Sequence, residues 1–201
     1  MARTILYVIL GYLSGSILYA NVFCAVFGKA NYLQNSADGN PGTSNAFKYG
    51  GFACGMLTLV CDIAKGFVPV LLYGMGQVAS WGLSLVLAAP VLGHVFPAAN
   101  KFHGGKGIAT SFGCLLGLHP YYLPFLILAV VFIVLSVAIK ITPNLYRTYA
   151  AYPCATAAML LFHVRPEIWI GFALISGIVC ARLYFSNEVK QSPEVQFLWK
   201  H

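Results

Sequence analysis

The sequence predicts an all-α membrane protein: a polytopic helical bundle of about seven transmembrane helices with its N-terminus outside. Three observations lead there. Hydrophobic residues make up 59% of the 201 residues and charged residues only 8%, far from the mix of a soluble globular domain. Apolar stretches recur at about the 20-residue length that a helix needs to cross the hydrocarbon layer. Lysines and arginines gather in alternate connections, as the positive-inside rule requires of a multi-pass chain.

Taken in order, the spans are expected at 4 to 27, 52 to 74, 78 to 97, 107 to 119, 121 to 139, 149 to 163 and 166 to 185. The first is too long for the apolar region of a cleavable signal and ends in no A-x-A-like site, so it reads as a span. The fourth and sixth fall short of a full crossing, so they are tilted, broken or partly re-entrant, and a count of five or six stays open. No segment alternates long enough to suggest a β-barrel. In the seven-span arrangement Lys29, Lys48, Lys101, Lys106, Lys140, Arg147, Lys190 and Lys200 share one side, which is expected to be cytoplasmic. The opposite connections, Gly74 to Trp81 and His119 to Pro120, carry neither lysine nor arginine, and Arg3 and Arg165 are minor exceptions. Residues 1–201 read as one membrane domain without linker or repeat.

The formal net charge of +7 does not point to nucleic acid, because the charges are scattered between apolar segments rather than gathered on an exposed face. The six cysteines stand singly in apolar stretches with no C-x-x-C pair, which argues against a zinc site or a disulfide framework and for small buried side chains. No metal or cofactor is expected. Trp81, Trp169 and Trp199 suit interfacial anchoring. The spacings Gly11 to Gly15, Gly51 to Gly55 and Gly113 to Gly117 match helix-packing motifs.

Three places carry chemistry. The stretch Asp38-Gly39-Asn40-Pro41-Gly42-Thr43-Ser44-Asn45, with Lys48 beyond it, combines sharp turns, neutral donors and a helix start, with Ser44 or Asn45 as candidate cap. It reads either as a phosphate cradle or as an ordinary polar connection. The second is Gly93-His94, followed by Lys101-Phe102-His103-Gly104-Gly105-Lys106-Gly107 before a helix rich in small residues. Bare amides and an ammonium there allow an anion to approach, although the spacing is not that of a P-loop, which disfavours nucleotide hydrolysis. His94 is either a hydrogen-bonded residue at a span end or a proton carrier or phosphate donor. The third is Asp62 with Lys65, three residues apart inside a span, either a site or an ion pair that orients one helix.

These pieces in this order resemble the bacterial acyl-phosphate:glycerol-3-phosphate acyltransferases, the PlsY family. The resemblance rests on Gly11-Tyr12-Leu13-Ser14-Gly15-Ser16-Ile17, Gly39-Asn40-Pro41-Gly42 with Asn45, Asp62 through Lys65-Gly66 and Pro69, Gly93-His94 with Phe96-Pro97, and Phe102 through Gly104-Gly105-Lys106-Gly107-Ile108-Ala109-Thr110. It covers roughly the first 115 residues. It implies seven spans with the N-terminus outside, in the bacterial cytoplasmic (inner) membrane with the site facing the cytoplasm. It also implies transfer of a fatty acyl group from acyl phosphate to the 1-hydroxyl of glycerol 3-phosphate, giving lysophosphatidic acid for phospholipid synthesis. Acyl phosphate, glycerol 3-phosphate or a related phosphorylated alcohol, and membrane lipid are then the expected partners. By the same resemblance His94, Asp38 and Lys106 are the catalytic candidates. Gly39, Asn40, Gly42, Ser44, Asn45, Lys48, Gly104, Gly105 and Gly107 would bind substrate phosphate, with Asp62, Lys65, Arg182 and Asn187 in support.

The chain also departs from the pattern. Asp38 stands where the family usually has serine, so a carboxylate faces the phosphate site and is expected either to serve as a base or to pair with a lysine. Lys48 replaces an arginine and loses its bidentate fork. His103 replaces the lysine before Gly-Gly, and Ile141 to Thr148 replaces a serine-rich loop. Arg182 and Asn187 match the family's last signature loosely. These departures motivate the alternative of a catalytically altered or inactive paralogue that binds a phosphorylated ligand.

Overall fold

The first span is a helix in two parts, α1 (Ala2–Gly15) and α2 (Tyr19–Val26). At the break Ser16 Oγ donates to the Tyr12 carbonyl at 2.8 Å, and the Ile17 carbonyl turns outward to accept from the Lys65 ammonium at 2.7 Å. A carbonyl freed at membrane depth needs such a partner. The computed structural model describes residues 1–36, 38–75, 81–186 and 192–198.

After a 3-10 turn at Tyr32–Asn35 comes the one-turn helix α3 (Thr43–Asn45), which runs through a π-helical turn, Ala46–Gly50, into α4 (Phe52–Gly74). Gly51 joins the last two at φ +95°, left-handed backbone that favours glycine. Helix α5 (Gly82–Val95) leads through the loop 96–107 to α6 (Ile108–Leu116). Then follow α7 (Leu123–Ile133), extended by a π-helical turn Val134–Ala138, strand β1 (Ile139–Thr142), α8 (Asn144–Leu161), α9 (Pro166–Tyr184) and strand β2 (Glu194–Phe197).

Every expected span therefore carries helix. Four stretches among the described residues, Ala2–Val26, Phe52–Gly74, Gly82–Asn100 and Pro166–Tyr184, are long and apolar enough to cross a bilayer, and Leu123–Ala138 is a shorter apolar helix. With nine residues at about 1.5 Å each, α6 covers less than half of the hydrocarbon layer. Large apolar side chains such as Leu6, Ile9 and Leu13 on the first span and Leu126, Val130 and Ile133 on α7 are exposed. A bilayer solvates that surface favourably, whereas water does not.

Backbone contact brings the helices together. A Cβ on Gly15 would stand 2.0 Å from the Pro90 carbonyl oxygen and one on Gly93 2.1 Å from that of Tyr12, so α1 and α5 touch main chain to main chain. A Cβ on Gly113 would clash with the Ile63 carbonyl and one on Gly66 with the Thr110 carbonyl, which joins α4 to α6 in the same way. Without lipid-versus-protein hydrophobic contrast, such close approach is what holds membrane helices together. Further in, Tyr152 of α8 and Phe172 of α9 stack in parallel with ring centroids 5.8 Å apart.

Several expectations need correcting. The expected helical bundle carries one short addition, strands β1 and β2 paired antiparallel, Ile139 with Phe197 and Thr142 with Glu194, where residues 139–142 were expected to end a span and enter a loop. Ser44 and Asn45 do not cap α4: Gly51 does, and the Asn45 side chain turns back into its own loop. Gly51 and Gly55 form no helix-packing pair, since Gly51 is the turn and Gly55 lies against the Phe47 ring. The cysteines are all free, but Cys154 is exposed, and Cys24 and Cys54 meet with their sulfurs 2.9 Å apart. Asn187, Lys190, Trp199 and Lys200 lie outside the described residues.

Candidate active site

The segment 38–47 and the residues Lys106 and Gly107, with side chains of α4, α5, α6 and α7 and the start of α8, surround a cavity of about 580 Å³. Asp38, Asn40, Asn45, His94 and Lys106 line its polar part, and Leu59, Ile63, Phe112, Leu116 and Phe125 its apolar part.

Asp38 organises the first loop. Its Oδ1 accepts from Ser36 Oγ at 2.8 Å, from the Asn40 N–H at 3.2 Å and from Asn45 Nδ2 at 2.8 Å, while its Oδ2 lies 3.0 Å from Lys106 Nζ. Burial raises the carboxyl's pKa, but the Asn45 and Ser36 hydrogen bonds and the Lys106 charge outweigh it and hold the group down at about 2. A carboxylate so held is a poor proton acceptor near neutral pH. Of the two roles expected for Asp38, the geometry selects pairing with a lysine. Asn45 Nδ2 also reaches Ser36 Oγ and the Asn40 carbonyl, at 2.8 and 2.9 Å, and Gly39 makes the turn at φ +57°. Asn40 is buried, and its Oδ1 has no hydrogen-bond partner among the described residues, while Gly42 packs against the Asn40 amide, where a Cβ would stand 2.8 Å from Nδ2.

The second loop folds back on the end of α5. Gly104 N–H donates to the Val95 carbonyl at 3.1 Å and Gly105 N–H to that of His94 at 3.0 Å, satisfying carbonyls that a helix end leaves free. These two amides are thus engaged within the protein rather than offered to an anion. The reason for glycine is closeness: a Cβ would lie 1.9 Å from the His94 carbonyl oxygen at Gly104 and 2.1 Å from His94 Nε2 at Gly105. Arg182, in the last turn of α9, donates to the Gly104 carbonyl through Nη2 at 2.9 Å. Gly107, at φ +83°, caps α6. It lines the cavity with Ile108 and Ala109, where the first turn of a helix has N–H groups without intrahelical partners and a positive dipole end.

Beneath both loops sits a buried group of three: Lys65 Nζ lies 2.8 Å from Asp62 Oδ1 and 2.7 Å from His94 Nδ1. Thr43 Oγ1 donates to Asp62 Oδ2 at 3.2 Å, which ties this group to the first loop. Ser44 lines the cavity from an exposed position. Lys48 does not join it: the side chain is exposed, with Nζ 5.0 Å from the centre of the Tyr49 ring. Asn187 lies outside the described residues.

Four contributors fall within stretches quoted from the sequence but were given no role there. Thr43 and the Ile17 carbonyl have no local signature, because each is defined by a partner on another helix. Tyr12 holds the second loop, its hydroxyl donating to the Phe96 carbonyl at 2.9 Å and accepting from the Ala98 N–H at 3.2 Å. Asn144 reaches the cavity only because α8 begins there. Chemically, the cavity offers an ammonium, a helix N-terminus, an imidazole and an unpartnered amide oxygen beside an apolar lining, a combination suited to an amphiphile with an anionic head.

The family model of glycerol-3-phosphate acyltransferase matches residues 5–190. Among curated proteins named glycerol-3-phosphate acyltransferase, one from Photorhabdus laumondii is 38% identical over 108 residues, which is 54% of this chain and 49% of that protein. Another, from Actinobacillus pleuropneumoniae, is 38% identical over 113 residues, 56% of this chain and 57% of that protein. The chain thus spans about half the length of the curated relatives it matches. The crystal structure of PlsY (YgiH), an integral membrane glycerol 3-phosphate acyltransferase, in its glycerol 3-phosphate form superposes with a TM-score of 0.75 at 27% identity, covering 89% of this chain and 87% of that one. Its lysophosphatidic acid form gives 0.73 at 26% identity, with the same coverage. The bundle is accordingly shared with the PlsY structure, and the chain belongs to the glycerol-3-phosphate acyltransferase family.

Proposed function

We propose that this multi-pass membrane protein transfers a fatty acyl group from acyl phosphate to the 1-hydroxyl of glycerol 3-phosphate, giving lysophosphatidic acid for phospholipid synthesis. The observation that carries the reading is one cavity in which Lys106 and the start of α6 stand at one part and an apolar lining at the other. The glycerol 3-phosphate and lysophosphatidic acid forms of the related PlsY structure support it. In orientation, the chain crosses the bacterial inner membrane seven times from an outside N-terminus. Lys29, Lys48, Lys101, Lys106, Lys140 and Arg147 then share the cytoplasmic side with the cavity, which agrees with the positive-inside rule.

Acyl phosphate is a mixed anhydride whose leaving group departs readily, so the protein has chiefly to orient the acceptor hydroxyl and stabilise developing charge. Lys106 and the first turn of α6 hold a phosphate, Asn40 and Asn45 bound the acceptor side, and His94 faces the reacting groups. The hydroxyl oxygen bonds to the acyl carbon as the acyl–phosphate bond breaks, and a substrate phosphate accepts the hydroxyl proton. Gly104, Gly105 and Arg182 hold the loop in place, and Asp62 and Lys65 act beneath it.

One observation favours a second reading, a catalytically altered paralogue that binds a phosphorylated ligand: Asp38 already occupies Lys106. Mass spectrometry on purified protein given palmitoyl phosphate and glycerol 3-phosphate separates the two. Lysophosphatidic acid accumulating with time supports acyl transfer, and ligand binding without product supports the paralogue.

A further inference from the structure

We propose that Lys65 is a positioning residue that locks His94 in the Nε2–H tautomer, so that His94 meets the reacting groups as a neutral hydrogen-bond donor and not as a base. The inference rests on the reading of the cavity as the acyl-transfer site. An ammonium has three N–H donors and no acceptor. Lys65 Nζ has three acceptors around it: the Ile17 carbonyl at 2.7 Å, His94 Nδ1 at 2.7 Å and Asp62 Oδ1 at 2.8 Å. One N–H for each acceptor leaves His94 Nδ1 without a proton, because two hydrogens cannot share a 2.7 Å contact.

With Lys65 as the ammonium paired to Asp62, the alternative tautomer fails on distance. A proton on Nδ1 needs an acceptor, and the carboxylate oxygen on that side, Asp62 Oδ1, lies 3.9 Å away, beyond hydrogen-bond reach. The ring's proton therefore sits on Nε2. That nitrogen lies over Gly105, where a Cβ would come within 2.1 Å of it, so the absence of a side chain at Gly105 keeps the donor open. A second proton on the ring would face the Lys65 ammonium at 2.7 Å, and Asp62 is already paired to Lys65. The broken first span has a role here: its outward-turned Ile17 carbonyl is the third acceptor that aims Lys65.

The test is ¹⁵N NMR of the histidine-labelled protein in nanodiscs over roughly pH 5 to 8, the range in which an ordinary histidine changes charge, with the His94 resonance assigned through His94→Gln. The expected spectrum has His94 neutral and protonated on Nε2 throughout. In Lys65→Met the resonance moves to a tautomer mixture or titrates, and kcat falls tenfold or more with KM little changed. His94→Gln, whose amide nitrogen reaches the Nε2 position, retains activity within about tenfold, whereas His94→Ala loses about a hundredfold or more, as for removal of one preorganised donor. A wild-type His94 that is imidazolium or carries its proton on Nδ1 overturns the proposal, as does a folded His94→Gln no more active than His94→Ala. Should the protein release no phosphate from acyl phosphate, the acyl-transfer reading falls, while the wild-type spectrum still decides the tautomer.

Discussion

Lys106 Nζ lies 3.0 Å from Asp38 Oδ2, so the cation lining the cavity already has an anion beside it. A substrate phosphate that binds Lys106 must displace that carboxylate or bind next to it, and two anions on one ammonium repel. Replacing Asp38 with Asn or Ser removes the competitor. The expected result is a three- to tenfold fall in KM for glycerol 3-phosphate, about 1 kcal/mol, the range of a partly exposed ion pair, with kcat changed little. A collapse of kcat in steady-state assays of Asp38→Asn contradicts this assignment and returns Asp38 to the role of base.

The same carboxylate links stability to pH. Asp38 titrates at about 2 in the folded protein against an ordinary 3.8, so its contribution is complete above about pH 4 and disappears as the pH falls through about 2. Discounted for solvent screening of a half-buried group, the contribution is about 1 kcal/mol. Thermal unfolding in detergent should show wild type above Asp38→Asn at pH 7, with the gap shrinking below pH 4. A gap that stays constant to the lowest pH measured argues against the ion pair and its hydrogen bonds.

Gly104 and Gly105 should respond differently to an added methyl group. At Gly104 the methyl meets the His94 carbonyl, a rigid backbone atom, so Gly104→Ala should lower stability by about 1–3 kcal/mol, the cost of overpacking. At Gly105 it meets His94 Nε2, and Gly105→Ala should cost more activity than stability. Parallel melting curves and turnover numbers read both; equal losses in both variants would show that the two glycines serve packing alone.

The first loop makes a paired prediction. Asn45 joins Ser36, Asp38 and the Asn40 carbonyl, so Asn45→Ala should raise KM for the acceptor about tenfold or more and cost about 1–2 kcal/mol of stability through the loss of its two N–H donors. Lys48 is exposed against Tyr49, so Lys48→Ala should change kcat/KM by less than about threefold. Substrate titrations of both variants are sufficient, and a larger effect at Lys48 than at Asn45 reverses the assignment.

Much of the bundle was legible because hydropathy is a local property. The span expected at 52 to 74 is Phe52–Gly74, and that at 166 to 185 is Pro166–Tyr184. Boundaries failed where a partner far along the chain decides. Residues 139–142 form a strand only because 194–197 lie beside them, and α8 starts at Asn144 rather than near 149 although Asn144 and Arg147 read as loop. The break at Ser16–Leu18 was hidden inside a continuous apolar run, since the Lys65 contact that satisfies the freed Ile17 carbonyl comes from another helix. In the site, loop composition marked the right stretches. It did not say that the Gly104 and Gly105 amides are used inside the protein, that Asn45 braces its own loop instead of capping α4, or which lysine Asp38 meets.

The measurement that bears most directly on the account is phosphate release from palmitoyl phosphate, with and without glycerol 3-phosphate, for wild type and Lys106→Ala reconstituted in lipid. The account predicts release that depends on the acceptor and falls at least a hundredfold in Lys106→Ala, on the scale of losing one charged stabiliser of the transferring group. Wild-type release no greater than that of boiled protein, or acceptor-dependent release that survives in Lys106→Ala, would contradict it.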